Sequence, residues 1–212
     1  MRDVRIFFSK KGRMKFASHL DMNRLMSRIL RLSRIPIWYT EGFNQHPYIT
    51  FALPLSLGFT SEYEIMDIRI IDDSYTNEMA KSALSAVLPE GINLIDVCAR
   101  GLKARQVAFA EFLITFESSD DSFAESLETF LSKETIITQK KTKKGNFKDI
   151  DIAPFIKRYE INKDNEVVLK IVLSAGSENN INPTLLLSAY GDTPDYSICR
   201  TMIYNSSMEC FK

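Results

Sequence analysis

A capped helical stripe set between extended segments is the feature that most narrows what this chain can fold into. Ser18-x-x-Asp21 makes a capping-box-like opening. Met22, Leu25, Met26, Ile29 and Leu32 then recur at helical spacing as a core face, while Arg24, Arg28 and Arg31 line the opposite face at i, i+4 and i+7. Pro36 is expected to stop this helix. Ahead of it, Val4-Arg5-Ile6-Phe7-Phe8 reads as a short strand turned by Lys10-Lys11-Gly12-Arg13. Beyond it, residues 48–53 and 63–71 read as two strands joined through Pro54 and Gly58. Residues 77–88 read as a second amphipathic helix ended by Pro89 and Gly91, and 92–97 as a last strand.

The order is β-α-β-β-α-β, and the second half echoes it. Residues 99–108, with Gly101, Lys103 and Arg105, read as a linker between a unit over 1–98 and one over 109–212. A strand is expected over 109–116, then a helix over 120–133 that opens on acidic residues, as the helix dipole favours. A hairpin over 135–142 and 147–152 carries Lys143-Lys144-Gly145-Asn146 at its tip. A strand over 166–173, a short helix from Asn182-Pro183 to Tyr190 and a strand over 197–204 complete the unit. The expected fold class is α+β, with two ferredoxin-like (βαββαβ) units in tandem.

The charge of the chain cancels, with 27 basic and 27 acidic residues, yet it is unevenly spread. The first 34 residues hold ten Lys and Arg against Asp3 and Asp21 alone, a net charge of +8 that the rest of the chain offsets. Such a basic end is either a solvated helix face or a surface for nucleic acid or another polyanion. Cys98, Cys199 and Cys210 are widely spaced, with no CxxC pair, so they hold neither an iron–sulfur cluster nor a Cys-based zinc site unaided. An odd cysteine count without a signal peptide reads as a reduced intracellular protein. The longest apolar stretch, 51–59, is interrupted and far too short to cross a bilayer. The expectation is a soluble, cytoplasmic protein with no membrane partner.

Only two histidines occur, and both lie in unusual strings. His19 falls in the first turn of the arginine-bearing helix, beside Lys15 and Arg24. It either fixes the helix start or acts as a general base or a contact to phosphate or base edge. Asp21 likewise serves as cap or as a chemical group. His46 lies in Tyr39-Thr40-Glu41-Gly42-Phe43-Asn44-Gln45-His46-Pro47, where Gly42 permits positive φ and Pro47 extends the residue before it. Phe43 plugs the core if this is only a tight turn, but a turn needs neither His46, Tyr39 nor Glu41, and Asn44 offers both donor and acceptor. No HxxxH-type spacing backs a two-His–carboxylate metal set, and no metal is expected. Lys140, Lys141, Lys143, Lys144 and Lys148, with Phe147, make the hairpin either a soluble tip or a finger for a nucleic-acid backbone. None of the eight glycines forms a phosphate-binding loop, and no nucleophilic triad is present.

Arg13-x-Lys15-Phe16-x-x-His19-Leu20-Asp21, followed by Gly42-Phe43-Asn44-x-His46-Pro47-x-x-x-Phe51-Ala52-x-Pro54-Leu55-x-x-Gly58, resembles the radical SAM-linked (radical SAM-associated) protein family, DUF2344. Asp149-Ile150-Asp151-Ile152 and the Asn182-Pro183 helix start are compatible with it, and Gln45 departs from it where the family commonly has proline. The resemblance implies a protein fused to, or encoded beside, a radical SAM enzyme, often near ribosomal-protein and ribonuclease genes. It further implies an accessory or adaptor protein that presents RNA or a ribosomal component to that partner. Arg13, Lys15, His19, Asp21, Arg24, Arg28, Arg31, Tyr39, Glu41, Phe43, Asn44 and His46 are then the candidate binding residues. The iron–sulfur cluster and S-adenosylmethionine would belong to the partner, with no cofactor bound by this chain.

A rival reading is catalytic. Tandem ferredoxin-like units with a histidine near the first helix look distantly like the metal-independent RNA-processing endonucleases of CRISPR systems. His19 or His46 would then be the general base, with Lys15 or Arg24 stabilising the phosphorane. The glycine-rich loop that this group carries near its C-terminus is missing, since Gly191 is the last glycine and stands alone.

Overall fold

The computed structural model describes residues 1–117, 120–141, 145–176 and 179–212. The chain divides into two compact units, Met1–Val107 with Cys210–Lys212, and Ala108–Glu209. Both are α+β, built on antiparallel strand pairs, and four α-helices occur among the described residues. None of these helices is long and apolar enough to cross a membrane.

In the first unit, β1 (Arg2–Lys10), β2 (Ile49–Phe51), β3 (Thr60–Ile70) and β4 (Ile92–Ala99) lie in the order β4-β1-β3-β2. Alternation along a strand divides its residues between two faces. Val4, Ile6 and Phe8 of β1 pair with Ile68, Met66 and Glu64 of β3, and the apolar members enter one core with α1 (His19–Leu32). Arg5 falls on the opposite face, directly across from Asp67.

Helix α1 begins as its local sequence demands. The Ser18 hydroxyl accepts a hydrogen bond from the Asp21 amide at 3.2 Å, and the Asp21 carboxylate accepts from the Ser18 amide at 3.0 Å. Met22, Met26, Ile29 and Leu30 are buried, each worth about 1.5–3 kcal/mol against exposure. Leu25 is only half-buried, and Leu32, expected in the core, is 56% exposed. At 3.6 residues per turn the stripe drifts, so Leu30 takes the inward position instead. The helix also ends before Pro36: Ser33 caps it, its amide bonding the Ile29 carbonyl at 2.8 Å, and Arg34 turns the chain with φ of 56°.

Helix α2 (Asn77–Ser85) is capped by Thr76 and stops short of residue 88, because Val87 bonds back to Leu84 in a tight turn. Gly91, with φ of 85°, then passes so near the first strand's turn that a Cβ would stand 2.8 Å from the Lys11 carbonyl oxygen. Only glycine fits there.

The second unit contains β5 (Phe109–Phe116), α3 (Asp121–Leu131), a two-stranded ladder of β6 (Ile137–Lys141) with β7 (Phe147–Asp151), then β8 (Ile156–Asn162), β9 (Val167–Ser174), α4 (Pro183–Tyr190) and β10 (Tyr196–Tyr204). Its main strands lie in the order β10-β5-β9-β8. Asp120 caps α3 and Asn182 caps α4, each through its side-chain oxygen. Strand β8 has no counterpart in the expected elements. Its run Ile-Lys-Arg-Tyr-Glu-Ile-Asn is mostly exposed and carries the charges of Lys157, Arg158 and Glu160, as suits a protected edge, and lacks the apolar alternation that reveals a half-buried strand. Of the hairpin tip, Lys143 and Lys144 lie outside the described residues.

Candidate functional site

Residues 38–48 leave the sheet and return as a pinned loop. The Trp38 amide donates to the Arg69 carbonyl at 2.8 Å, the Tyr48 amide to the Trp38 carbonyl at 3.0 Å, and the Thr40 amide to the His46 carbonyl at 2.9 Å. Beneath it the Arg69 guanidinium stacks on Trp38 and Tyr48, 5.4 and 4.9 Å from the ring centres. Arg69 bonds Asp3 at 2.7 Å, and Arg100 reaches the other Asp3 oxygen at 2.7 Å. The Arg69 hydrogen bond, with the charges of Arg100 and Arg69, holds the Asp3 carboxyl below its ordinary range despite partial burial.

This anchoring sets His46, Pro47 and Ile49 against α1. Together with Asn23, Arg24, Ser27, Arg28 and Arg31 they line a groove of about 460 Å³. Four sequence candidates therefore meet: Arg24, Arg28, Arg31 and His46. Among the described residues no ion pair engages any of the three arginines, although Arg24 lies close enough to Asp21 to contribute to lowering that carboxyl. The main causes of that lowering are the Ser18 side-chain and backbone bonds. Asp21 is thus occupied as the helix cap.

The two histidines differ. His46 Nδ1 is 3.0 Å from the Asn44 carbonyl oxygen, which can only accept, so Nδ1 carries a hydrogen. Thr40 Oγ1 sits 3.1 Å from the same nitrogen. Nε2 is then the acceptor of the neutral ring, with no hydrogen-bond partner among the described residues. His19 is exposed, but its Nε2 is engaged within its own helix. The Asn23 side-chain nitrogen donates to the His19 carbonyl at 3.0 Å, which fixes the amide's orientation, and meets His19 Nε2 at 3.0 Å. The His19 ring also packs edge-on against Phe51, at 5.2 Å between centres. The i, i+4 spacing of His19 and Asn23 is the sequence signal for this bond.

The remaining candidates do not line the groove. Arg13 and Lys15 stand on a 3-10 turn (Gly12–Phe16), with Lys15 Nζ 5.2 Å from the centre of the Phe16 ring. Tyr39 bridges to Pro47, and Glu41 and Asn44 are exposed in the loop. Phe43 does not plug the core: its side chain is fully exposed at the loop tip. In the second unit Lys140 donates to the Asn180 carbonyl at 3.0 Å, while Lys148 and Phe147 are exposed.

One polar cluster has no signal in the sequence. Glu111, buried in β5, accepts from Thr201 at 2.8 Å, Tyr204 at 3.1 Å and Arg158 at 3.2 Å, with Lys170 at 3.5 Å. Burial pushes its carboxyl up, but the Thr201 bond, the Lys170 charge and the bonds from Tyr204 and Arg158 outweigh it, and the net shift is downward. Its partners come from three other strands, so only the folded sheet assembles it. No group of three or more His, Cys, Asp or Glu suited to a metal ion occurs among the described residues.

Fold and groove define an α+β protein whose first helix carries a cationic face with no ion pair among the described residues. Residues 3–183 match the model of the family described as an uncharacterized protein conserved in bacteria, DUF2344, and the chain belongs to that family. No curated protein matches the chain. Among solved structures it is similar to a chain of a crystal structure of a Cbf5-Nop10-Gar1 complex, at 11% identity and a TM-score of 0.48, covering 93% of this chain. It spans 48%, about half, of that chain's length.

Proposed function

We propose that this protein is an adaptor that holds RNA, or a ribosomal component, in the α1 groove for a radical SAM enzyme to act upon. The observation that carries the reading is the set of three guanidinium groups, Arg24, Arg28 and Arg31, along one groove with His46 and, among the described residues, in no ion pair. Guanidinium forks match phosphate oxygens, and a polyanion releases counterions on binding them. The partner follows from the resemblance to radical SAM-linked proteins, and the iron–sulfur cluster and S-adenosylmethionine belong to that partner. The setting is the cytoplasm.

The reading includes a fold, two ferredoxin-like units in tandem. Supporting it are the strand orders β4-β1-β3-β2 and β10-β5-β9-β8, each with a helix after its first and third strands. The β6–β7 ladder is then an insertion between α3 and β8.

The test is a gel titration of purified protein, in chelator, against labelled cellular RNA, scored for retardation and for cutting. Retardation that salt weakens, without cutting, is the expected result, and no retardation overturns the reading. The Nε2 of His46, without a hydrogen-bond partner among the described residues, favours a second reading, a metal-independent endoribonuclease with His46 as general base. Discrete cuts that vanish in His46→Ala would establish it.

A further inference from the structure

The His46 loop holds two features that backbone binding alone does not use. One is the Nε2 acceptor, presented because Nδ1 is committed to Asn44. The other is Phe43, a large apolar ring left fully exposed three residues before His46, at most about 11 Å away along the chain. The loop is short and anchored, through Thr40 to His46 and through Trp38 to Arg69, so His46 lines the groove with the arginines and Phe43 stands at the tip of the same fixed loop. A ribose 2′-hydroxyl can donate to a lone imidazole nitrogen, and it is the group that separates RNA from DNA. An exposed aromatic ring stacks an unpaired base, which a duplex does not offer.

We propose that the groove selects single-stranded RNA, with His46 Nε2 accepting a hydrogen bond from a ribose 2′-hydroxyl and Phe43 stacking a base while Arg24, Arg28 and Arg31 hold the backbone. This rests on the RNA-binding reading above and adds the strandedness and the sugar. The arginines, spread over about 10 Å of helix, would engage only a short run of phosphates.

The experiment is fluorescence anisotropy on the full chain with one short labelled sequence in four forms: single-stranded RNA, its 2′-fluoro analogue, DNA, and the RNA annealed to its complement. The 2′-fluoro form removes the donor with little added bulk. Single-stranded RNA should bind about tenfold more tightly than each of the other three. In His46→Ala the ratio of RNA to 2′-fluoro affinity should fall to about one. Phe43→Ala, at a side chain with no packing to lose, should weaken RNA and DNA alike by roughly 5- to 100-fold. Equal binding of RNA and 2′-fluoro RNA by the unaltered protein, or duplex bound as tightly as single strand, overturns the inference while leaving RNA binding standing. Failure of all four forms to bind overturns the inference together with the reading beneath it.

Discussion

The arginines of β1 and β3 and those of α1 belong to one unit but serve opposite ends. Arg5 is wholly buried and grips Asp67 through two bonds at 2.7 and 2.8 Å, with a further bond to the Leu102 carbonyl and the Phe211 ring 5.0 Å away. Arg69 is tied to Asp3 under the Trp38–Tyr48 loop. Arg24, Arg28 and Arg31 have no such partner among the described residues. The difference teaches that a basic segment is not one surface. Part of its charge is consumed inside the fold, and the remainder lines a groove without an ion pair among the described residues.

That contrast can be broken most severely at Asp67. Asp67→Ala leaves the Arg5 guanidinium buried without its carboxylate, and should cost about 3–5 kcal/mol in urea unfolding. A loss under about 1 kcal/mol would show that the pair is not the structural half of the contrast. Next in size is the cap that places the helix arginines. Ser18→Ala should cost about 1 kcal/mol by the same measurement, and an unchanged midpoint would remove the capping box from the account.

Acid provides a smaller perturbation. Asp3 and Glu111 have folded values below their ordinary ones, so their contributions are complete above the ordinary carboxylate range and are lost as pH falls through the lowered folded values. Trp38 is the chain's one tryptophan and sits on Arg69. Its fluorescence should hold steady at neutral pH and change only once pH drops below the ordinary aspartate value of 3.8. A change near pH 6 would contradict the Asp3 assignment. Smallest of all should be the effect on stability of His46→Ala, whose exposed ring, among the described residues, bonds Thr40 and Asn44 of its own loop. Its melting temperature should stay close to the parent's, and a large fall would make His46 a structural residue.

How much of this was legible depends on the range of the contacts. The start of α1, its inward residues Met22, Met26 and Ile29, and the caps Asp120 and Asn182 all rest on neighbours within one or two turns, which local spacing reveals. The Arg5–Asp67 pair spans 62 residues and the Glu111 cluster joins residues up to 93 apart, so neither has a local signature. Strand β8 escaped because an edge strand buries too little to show alternation. The groove was half legible. The arginine stripe is periodic, but its meeting with His46 depends on Trp38 docking on β3, which no spacing encodes.

The central claim is that the α1 arginines meet a phosphate backbone. The most direct measurement is the affinity for single-stranded RNA across a salt series, for the parent and for Arg24→Glu, Arg28→Glu and Arg31→Glu combined. The account predicts a folded variant, within about 0.5 kcal/mol of the parent, that binds weakly and whose logarithmic salt slope is shallower by about 2. A folded variant with the parent's affinity and salt slope would contradict it.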